Sequence, residues 1–350
     1  MIKKILKHTG RLIAVTLAIA SLYLINLFFM KPISIDHYLG KELILDLTGS
    51  PEELTYVGVL DRFNWITNHN SKLSIPQDND IEDGVKQTEK VIKTLYKYDD
   101  ARLSNIQKNT KKIAIFDYEN QLKELKDFPY LDYPLNQIGG IHLNTIEFMN
   151  SVHPIRSESE AKAFIKRTDL IKEVYGGLLN HLEKQASNGV FPPEFVYVHV
   201  INQLDEFINI SNIEHPLYKQ FMLKVGELDL NKDKVGYLEE EIRRSINESV
   251  TPGFKLLRNF MASTQKNANK NHGIWSQPGG DEYYKLKIRT FTTTDYSPEK
   301  IHQMGLNEVK RISSRMREIL TSLGYDENKS VGELMNELNE DPDFLYADTP

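Results

Sequence analysis

Hydrophobic residues recur every three to four positions through most of this chain, which predicts a largely helical protein. The segment from Ser157 to Ala186 shows the pattern most clearly, because Ser157 suits a helix N-cap and acidic residues follow it in the first turn. Its apolar positions form one stripe, namely Ala161, Phe164, Ile165, Ile171, Val174, Leu178 and Leu182. We therefore predict a mainly α fold, a large multi-helix domain with little β structure.

The same reasoning places the other helices and the turns between them. One helix is predicted to begin at Pro192 and Pro193, and another to run from a cap at Ser297 to Gly324. A helix pair is predicted to break at Thr251–Gly253, where threonine, proline and glycine follow one another. The run from Tyr284 to Thr294 alternates between polar and apolar residues and is β-branched near its end, which favours an edge strand or an extended loop.

A different pattern, nineteen residues without a charge, occupies Leu12–Met30 near the N-terminus. A helix of this length covers nearly all of a hydrocarbon layer of about 30 Å. Four basic residues lie within residues 1–11, so we predict a cytoplasmic basic tail, a single-pass inner-membrane anchor, and residues 32–350 on the periplasmic or extracellular side. The alternative is a signal peptide cleaved near Ala18–Ala20, which would leave a secreted protein. The apolar run continues past that point, which favours the anchor.

Composition excludes several classes of function. The chain has 350 residues, with 43 basic and 49 acidic side chains and a formal net charge of -6, so nucleic acid is not the expected partner. It has no cysteine, which excludes disulfides, thiolate zinc sites and cysteine nucleophiles.

The stretch from Gly273 to His302 is unusually rich in aromatic residues for a connection between helices. Aromatic side chains suit a groove, glycines allow close backbone approach, an arginine can pair with a carboxylate, and hydroxyls before a helix N-terminus can hold an anion. The candidate substrate-binding residues are Trp275, Gly279, Gly280, Tyr283, Tyr284, Arg289, Thr292, Thr293 and Thr294, together with His142 after the Gly139–Gly140 pair. The alternative is that this segment only packs over the core and that the threonines cap a helix.

Catalytic and metal-binding motifs are not found in the sequence. Glu299 and His302 form the one Glu-x-x-His pair, whereas a carboxylate-bridged di-metal bundle needs two such pairs and further carboxylates. The simpler interpretation is a first-turn glutamate favoured by the helix dipole. We therefore predict no catalytic residue, no metal ligand and no cofactor within this chain.

Three segments of the chain resemble a known bacterial family, in the same order. They are Tyr133–His142, Asn188–Leu204 and Gly273–Ile312, and together the resemblance spans roughly residues 50–350. The family is the domain-of-unknown-function 885 family, whose members look like zinc metallopeptidases on a largely helical fold, many of them secreted or lipid-anchored. The resemblance implies that residues 40–350 form this helical domain. The family's His-Glu zinc motif, with its following Gly-His, has no match here, so the resemblance implies zinc but no ligand in this chain.

These observations lead to hypotheses of different classes. The first is an anchored, externally facing N-terminal part of such a metallopeptidase, truncated before the metal-binding half and inactive alone, with a peptide ligand or a second chain completing the cleft. The second is a non-catalytic module that binds a peptide or protein. A third, an enzyme that uses Glu299 and His302, rests on the single Glu-x-x-His pair.

Overall fold

A computed structural model describes residues 2–346, and this part of the chain contains helices and no β-strand. The prediction of a mainly α fold is confirmed. The first eight helices are α1 (Ile2–Phe29), α2 (Ile35–Gly49), α3 (Pro51–Val57), α4 (Asn64–Thr67), α5 (Asp80–Tyr96), α6 (Asn105–Asp127), α7 (Ile141–Glu147) and α8 (Glu158–Asp169). The remaining helices are α9 (Ile171–Ser187), α10 (Glu194–Asn209), α11 (Pro216–Gly226), α12 (Lys232–Ser245), α13 (Thr251–Thr264), α14 (Gly280–Thr292), α15 (Pro298–Ser322) and α16 (Val331–Glu340).

The described chain falls into two compact units, with the boundary between Tyr283 and Tyr284. The main core of the first unit lies between α7 and α13 and includes every residue of the predicted stripe in α8 and α9. Aromatic rings fill its centre, where Phe164 packs on Phe221 at 5.2 Å between ring centroids and Phe207 stacks on Phe254 at 4.8 Å. The stripe belongs to two helices rather than one, because the chain leaves α8 at Leu170 and re-enters α9 at once.

A smaller core joins the N-terminal helices of the same unit. Ile35 and Tyr38 of α2 pack against Val91 and Leu95 of α5 and against Tyr98. The chain reaches this core from α1, whose residues Arg11–Phe29 form a stretch long and apolar enough to cross a membrane, with none of the stretch buried within the protein. By length and composition this helix suits either a membrane span or a signal sequence.

The segment that the alternating pattern assigned to a strand or extended loop, Tyr284–Thr294, is helical through Thr292 and lies mostly in α14. That prediction was wrong. The helix follows Gly279, which adopts a positive φ of 75°, and carries Asp281 and Glu282 in its first turn, where carboxylates interact favourably with the helix dipole. An alternating pattern of polar and apolar residues also fits a helix when apolar side chains two positions apart are both buried. Leu286 and Ile288 of α14 are such a pair.

The predicted break at Thr251–Gly253 is also wrong. A π-helical turn, Ile246–Val250, follows α12 directly, and α13 begins at Thr251 without leaving helical geometry. Pro252 falls at the start of α13, where a proline is tolerated because a π turn rearranges the backbone hydrogen bonds that proline cannot make.

Within the second unit, α15 and α16 form a helical hairpin. The two helices are in contact, and each has a buried leucine, Leu320 in α15 and Leu334 in α16. The guanidinium of Arg317 donates to the carbonyls of Glu327 and Lys329, at 2.7 and 2.6 Å, and so holds the turn between the two helices. Ser297 caps α15 as predicted, since its hydroxyl accepts from the backbone N–H of Lys300.

Candidate functional site

Gln277 is the point at which three distant segments of the first unit meet. Its side-chain amide Nε2 donates to the hydroxyl of Tyr133 at 2.7 Å and to the carbonyl of Phe191 at 2.6 Å. Its Oε1 accepts from the backbone N–H of Phe191 at 3.3 Å. The glutamine therefore pairs with both backbone groups of Phe191, as a neighbouring strand would. Burial raises the pKa of Tyr133 to about 12, so this hydroxyl stays protonated at neutral pH.

Residues 269–280, called the aromatic loop below, are held by backbone and side-chain hydrogen bonds. The N–H of Asn269 donates to the carbonyl of Pro192 and its carbonyl accepts from the N–H of Glu194, both at 3.1 Å. The side chain of Asn269 donates to the Ser276 hydroxyl at 2.8 Å, and that hydroxyl donates to the carbonyl of Gly273 at 2.7 Å. The loop is thus tied to the N-terminal end of α10 and to itself.

Two glycines allow the loop to turn into α14. Gly279 has a φ of 75°, a conformation that side-chain-bearing residues rarely adopt. Gly280 has ordinary dihedrals, but a Cβ there would lie 1.8 Å from the carbonyl oxygen of Ile274. The sequence indicated two roles for this glycine pair. Gly279 provides the positive φ, and Gly280 allows the close backbone approach.

Trp275 projects from this fixed loop with 60% of its surface exposed. On the same loop, His272 packs edge-to-face against Phe195 at the start of α10, with ring centroids 5.1 Å apart. We call Phe195, His272 and Trp275 the aromatic rim. Exposed aromatic side chains on an ordered backbone are the residues that contribute most to binding when a ligand covers them.

The predicted tyrosines belong to different units. Tyr283 is partly buried, packs edge-to-face on Phe128 at 5.6 Å and donates its hydroxyl to Glu124 at 3.4 Å. Tyr284 begins the second unit and is about half exposed. Tyr283 therefore supports the start of α14, and its ring is not displayed as that of Trp275 is.

Arg289 and the three threonines lie at the C-terminal end of α14. The guanidinium of Arg289 donates to Asp295 through one nitrogen, Nη1, at 3.0 Å. Thr292 donates to the carbonyl of Ile288 at 2.7 Å and bonds the hydroxyl of Thr294 at 2.8 Å, and Thr293 has a positive φ of 54°. These residues lie at the C-terminal end of α14 and do not cap the following helix, which takes its N-cap from Ser297.

His142 is fully buried in the first turn of α7. Its Nε2 bonds Oε1 of Gln203 at 3.0 Å, and the amide of Gln203 donates to the carbonyl of Gln137 at 3.0 Å. Burial lowers the pKa of His142, so the ring is neutral at pH 7. A Cβ at Gly140 would lie only 2.7 Å from Cε1 of His142, so the histidine ring packs directly against this glycine. His142 therefore holds the turn in place.

A polar cleft that no sequence motif indicated lies on another face of the first unit. Its volume is about 210 Å³, and its walls come from residues 76–81, Asp132 and α9. Two pairs of side chains bond across it, since Lys184 donates to Asp78 at 2.8 Å and His181 bonds Asp132 at 3.1 Å. Only the tertiary contacts reveal this cleft, since its two sides are about 100 residues apart.

The described residues do not fit a zinc site. Across residues 2–346, no group of three or more His, Asp or Glu side chains is arranged to hold a metal ion. Glu299 and His302 lie exposed on the first turn of α15. A peptidase zinc site needs three protein ligands, so no catalytic step through zinc is assigned to these residues.

Residues 51–350 match the sequence family described as "Bacterial protein of unknown function (DUF885)". The chain belongs to the domain-of-unknown-function 885 family. The family description names no activity. Tyr133, Phe191 and Gln277 lie in the three segments on which the resemblance rests, one in each. The amide of Gln277 therefore joins these three segments of the DUF885 chain.

One solved structure similar to this DUF885 protein is "The crystal structure of the putative lipoprotein from Colwellia psychrerythraea". The two share a TM-score of 0.74 and 24% sequence identity, and the match covers 87% of this chain and 54% of that one. At this identity the likeness shows the fold alone. The DUF885 chain described here spans about half the length of that lipoprotein. No curated protein matches its sequence.

Proposed function

We propose that this chain is the membrane-anchored, externally facing helical part of a DUF885 protein and that it binds polypeptide at the aromatic rim. The observation that carries this proposal is Trp275, 60% exposed on a loop that Asn269 and Gln277 fix from both sides. A large exposed aromatic on a fixed backbone gains contact area on binding without losing much conformational freedom.

Polypeptide is the favoured ligand class for chemical reasons. The rim offers flat apolar faces with a polar ring nitrogen on His272, which suits side chains and amide planes. The net charge of -6 disfavours nucleic acid. Hydrolysis, which the family resemblance implies, is assigned to no described residue, so the role proposed for this chain is to hold the polypeptide.

Binding can be tested with a defined mixture of peptides. The full chain in detergent micelles is immobilised and exposed to a tryptic digest of casein, and the retained peptides are quantified by mass spectrometry. Trp275→Ala is expected to lower retention about tenfold, the loss of a dominant contact. Trp65→Ala is the matched control, since Trp65 is also exposed but lies in a different part of the first unit. Equal retention by Trp275→Ala and the unaltered chain would rule out the rim as the binding surface.

A second polypeptide is proposed to cover α15. Apolar side chains on this helix are about half exposed, namely Met304, Leu306, Val309, Ile312, Ile319 and Leu323. Monomeric soluble domains rarely leave such a face open. This observation favours a chain that works together with further polypeptide over a self-sufficient binding module.

Light scattering of residues 32–350 in solution distinguishes a chain that needs further polypeptide to cover α15 from a self-sufficient binding module. An open apolar face on α15 predicts self-association that the pair Val309→Lys and Ile312→Lys reduces. The matched control replaces two exposed polar residues of the same helix, Asn307→Lys and Ser314→Lys. A monodisperse monomer before any substitution would favour the self-sufficient module.

Orientation in the membrane can be tested with cysteine labelling, because the chain has no cysteine of its own. Glu183→Cys places a thiol on the exposed face of α9, and His8→Cys places one beside the basic N-terminal tail. In intact spheroplasts a membrane-impermeant maleimide is expected to label Glu183→Cys and leave His8→Cys unlabelled. The reverse pattern would contradict the external orientation, and loss of the N-terminal residues from the mature protein would indicate a cleaved signal peptide.

A further inference from the structure

A patch of exposed apolar side chains follows the anchor in sequence. Leu43 and Ile44 lie on α2, Tyr56 on α3, Phe63 on the following turn, and Trp65 and Ile66 on α4, all at least half exposed. Trp65 is the most exposed of them, at 80%. We call these six residues the apolar patch. Exposed apolar side chains on elements that contact one another, as α2 contacts α3 and the turn Asp61–Phe63 contacts α4, indicate an interaction site in a soluble or peripheral domain.

The first helix of the patch, α2, contacts the helix that is long enough to span a membrane. Tyr23 of α1 packs edge-to-face on His37 of α2, with ring centroids 5.6 Å apart. Tyr23 lies six residues before Phe29, the last residue of α1, which is about 9 Å along a helix. The beginning of α2 therefore lies beside the last two turns of α1, and the domain follows the apolar stretch without a spacer.

The connection between α1 and α2 is fixed by hydrogen bonds. Asn26 donates to the carbonyl of Lys31 at 3.1 Å and accepts from the N–H of Ile33 at 3.0 Å. The hydroxyl of Tyr98 donates to the carbonyl of Pro32 at 2.7 Å. Because both ends of this turn are held, the domain keeps a defined position beside the end of α1.

The backbone under the patch is equally well fixed. Arg167, fully buried in α8, donates to the carbonyls of Lys72 and His69 and to the hydroxyl of Thr55, at 2.7, 2.7 and 2.9 Å. These bonds tie α3 and the turn after α4 to the main core. The apolar residues between them are therefore displayed on ordered backbone and cannot withdraw into the core.

Residue types in the patch favour a lipid surface over a protein. Trp65 and Tyr56 combine aromatic bodies with polar tips, the residue types enriched where membranes meet water, and Phe63 adds a wholly apolar ring. Asp46 and Glu53 are exposed on the same elements as the patch and Arg62 is exposed beside Phe63, so these side chains supply no net positive charge to attract anionic headgroups. Burial of apolar area is then the driving force, and it operates equally on a zwitterionic bilayer.

We propose that the apolar patch lies in the interface of the bilayer that α1 spans, so that the domain rests on the membrane surface. This inference depends on the membrane anchor of the proposed function and does not depend on polypeptide binding. It assigns Trp65 and Ile66 to lipid contact.

The two tryptophans of the chain, Trp65 and Trp275, provide the test. The full chain is reconstituted in phosphatidylcholine vesicles, with or without bromine on the acyl chains as a contact quencher. In Trp275→Phe the remaining Trp65 is expected to emit at shorter wavelength than in water and to lose about half its emission to brominated lipid. In Trp65→Phe the remaining Trp275 is the control and is expected to be quenched far less.

Each other outcome overturns the inference in a distinct way. A chain that does not float with the vesicles overturns both the anchor and the patch. A chain that floats while Trp65 emits as in water overturns the patch alone. Shorter-wavelength emission without quenching means that protein, either a second copy or another polypeptide, covers the patch.

A spin label gives an independent measurement if Trp275→Phe does not fold. Ile66→Cys is expected to be more accessible to dissolved oxygen than to a water-soluble nickel complex, as in lipid. Glu183→Cys, an exposed position on α9, is the matched control and is expected to show the opposite preference. Equal preference for the nickel complex at both positions overturns the inference.

Discussion

The guanidinium of Arg167 donates a hydrogen bond to Nδ1 of His153 over 2.9 Å, deep in the first unit. An arginine has no acceptor, so this bond requires a neutral histidine whose proton is on Nε2, where it faces the carbonyl of Glu160 at 3.4 Å. Burial and the neighbouring positive charge lower the pKa of His153 to about 3. Burial also lowers the pKa of Arg167, to about 10, which leaves it charged at neutral pH.

Arg167→Met is predicted to destabilise the protein strongly. The replacement leaves the carbonyl of Lys72, Nδ1 of His153 and the hydroxyl of Thr55 without the donor that Arg167 supplies, and unpaired buried polar groups together cost about 3 kcal/mol or more. The carbonyl of His69 keeps the backbone N–H of Lys72 as a donor. Urea unfolding followed by circular dichroism measures the free energy of unfolding. Arg102→Met is the matched control, because Arg102 is 87% exposed and its ion pair with the exposed Asp99 is expected to contribute under about 1 kcal/mol. Equal losses in the two variants would contradict this role of Arg167.

The stability of the first unit is predicted to fall in mild acid. His153 in the unfolded chain binds a proton near its ordinary pKa of 6.5, whereas the folded protein takes it up only near pH 3. The stabilisation is therefore complete above about pH 6.5 and is lost as the pH falls below that value, by on the order of 2 kcal/mol at pH 5. His215, whose pKa burial lowers to about 4, acts in the same direction.

Urea unfolding at pH 7 and pH 5 measures this loss. His153→Gln, which keeps an acceptor for Arg167, is expected to make the free energy of unfolding less dependent on pH. His302→Gln, an exposed position, is the control and should leave the difference unchanged. A His153→Gln protein that loses as much stability in acid as the unaltered chain would exclude His153 as the source.

Gly280→Ala is predicted to distort the aromatic loop. The new Cβ would stand 1.8 Å from the carbonyl oxygen of Ile274, so the backbone must shift, at a cost on the order of 2 kcal/mol. Gly305→Ala is the matched control, because Gly305 lies within α15 with open space around it. There alanine is expected to stabilise the helix by up to about 1 kcal/mol. Thermal unfolding gives the melting temperature of each variant. If both substitutions shift the melting temperature in the same direction, the close approach of Gly280 to the Ile274 carbonyl is contradicted.

Gln277→Leu is predicted to release Phe191 from the aromatic loop. Leucine is similar in size but offers no donor for the Tyr133 hydroxyl or the Phe191 carbonyl, and leaves the N–H of Phe191 without its acceptor. The expected loss is about 2 kcal/mol, with hydrogen exchange at the Phe191 amide faster by at least about tenfold. Gln303→Leu, on the exposed face of α15, is the control. Unchanged exchange at Phe191 would contradict the pairing.

Much of the candidate site was predictable at the level of residues, while its geometry was not. Trp275 and Gly279 attract attention in the sequence because an aromatic and a turn glycine are unusual together in a connection. Gln277, which joins the loop to Tyr133 and Phe191, gave no such signal, since its partners are 144 and 86 residues away. Glutamine is common at surfaces, and only its burial identifies this one as a structural link.

The sequence by itself determined the helical class, the apolar stripe of α8 and α9, and the start of α15, because periodicity and capping depend on neighbouring residues. It also determined the uncharged stretch in α1, which depends on composition alone. Tertiary structure decided that α14 is a helix and that the chain passes Thr251 without a break. It also decided that the side chain of Arg167 is buried and that the side chain of Trp65 is exposed. Which side chains are covered depends on contacts between distant segments, and no local pattern encodes those contacts.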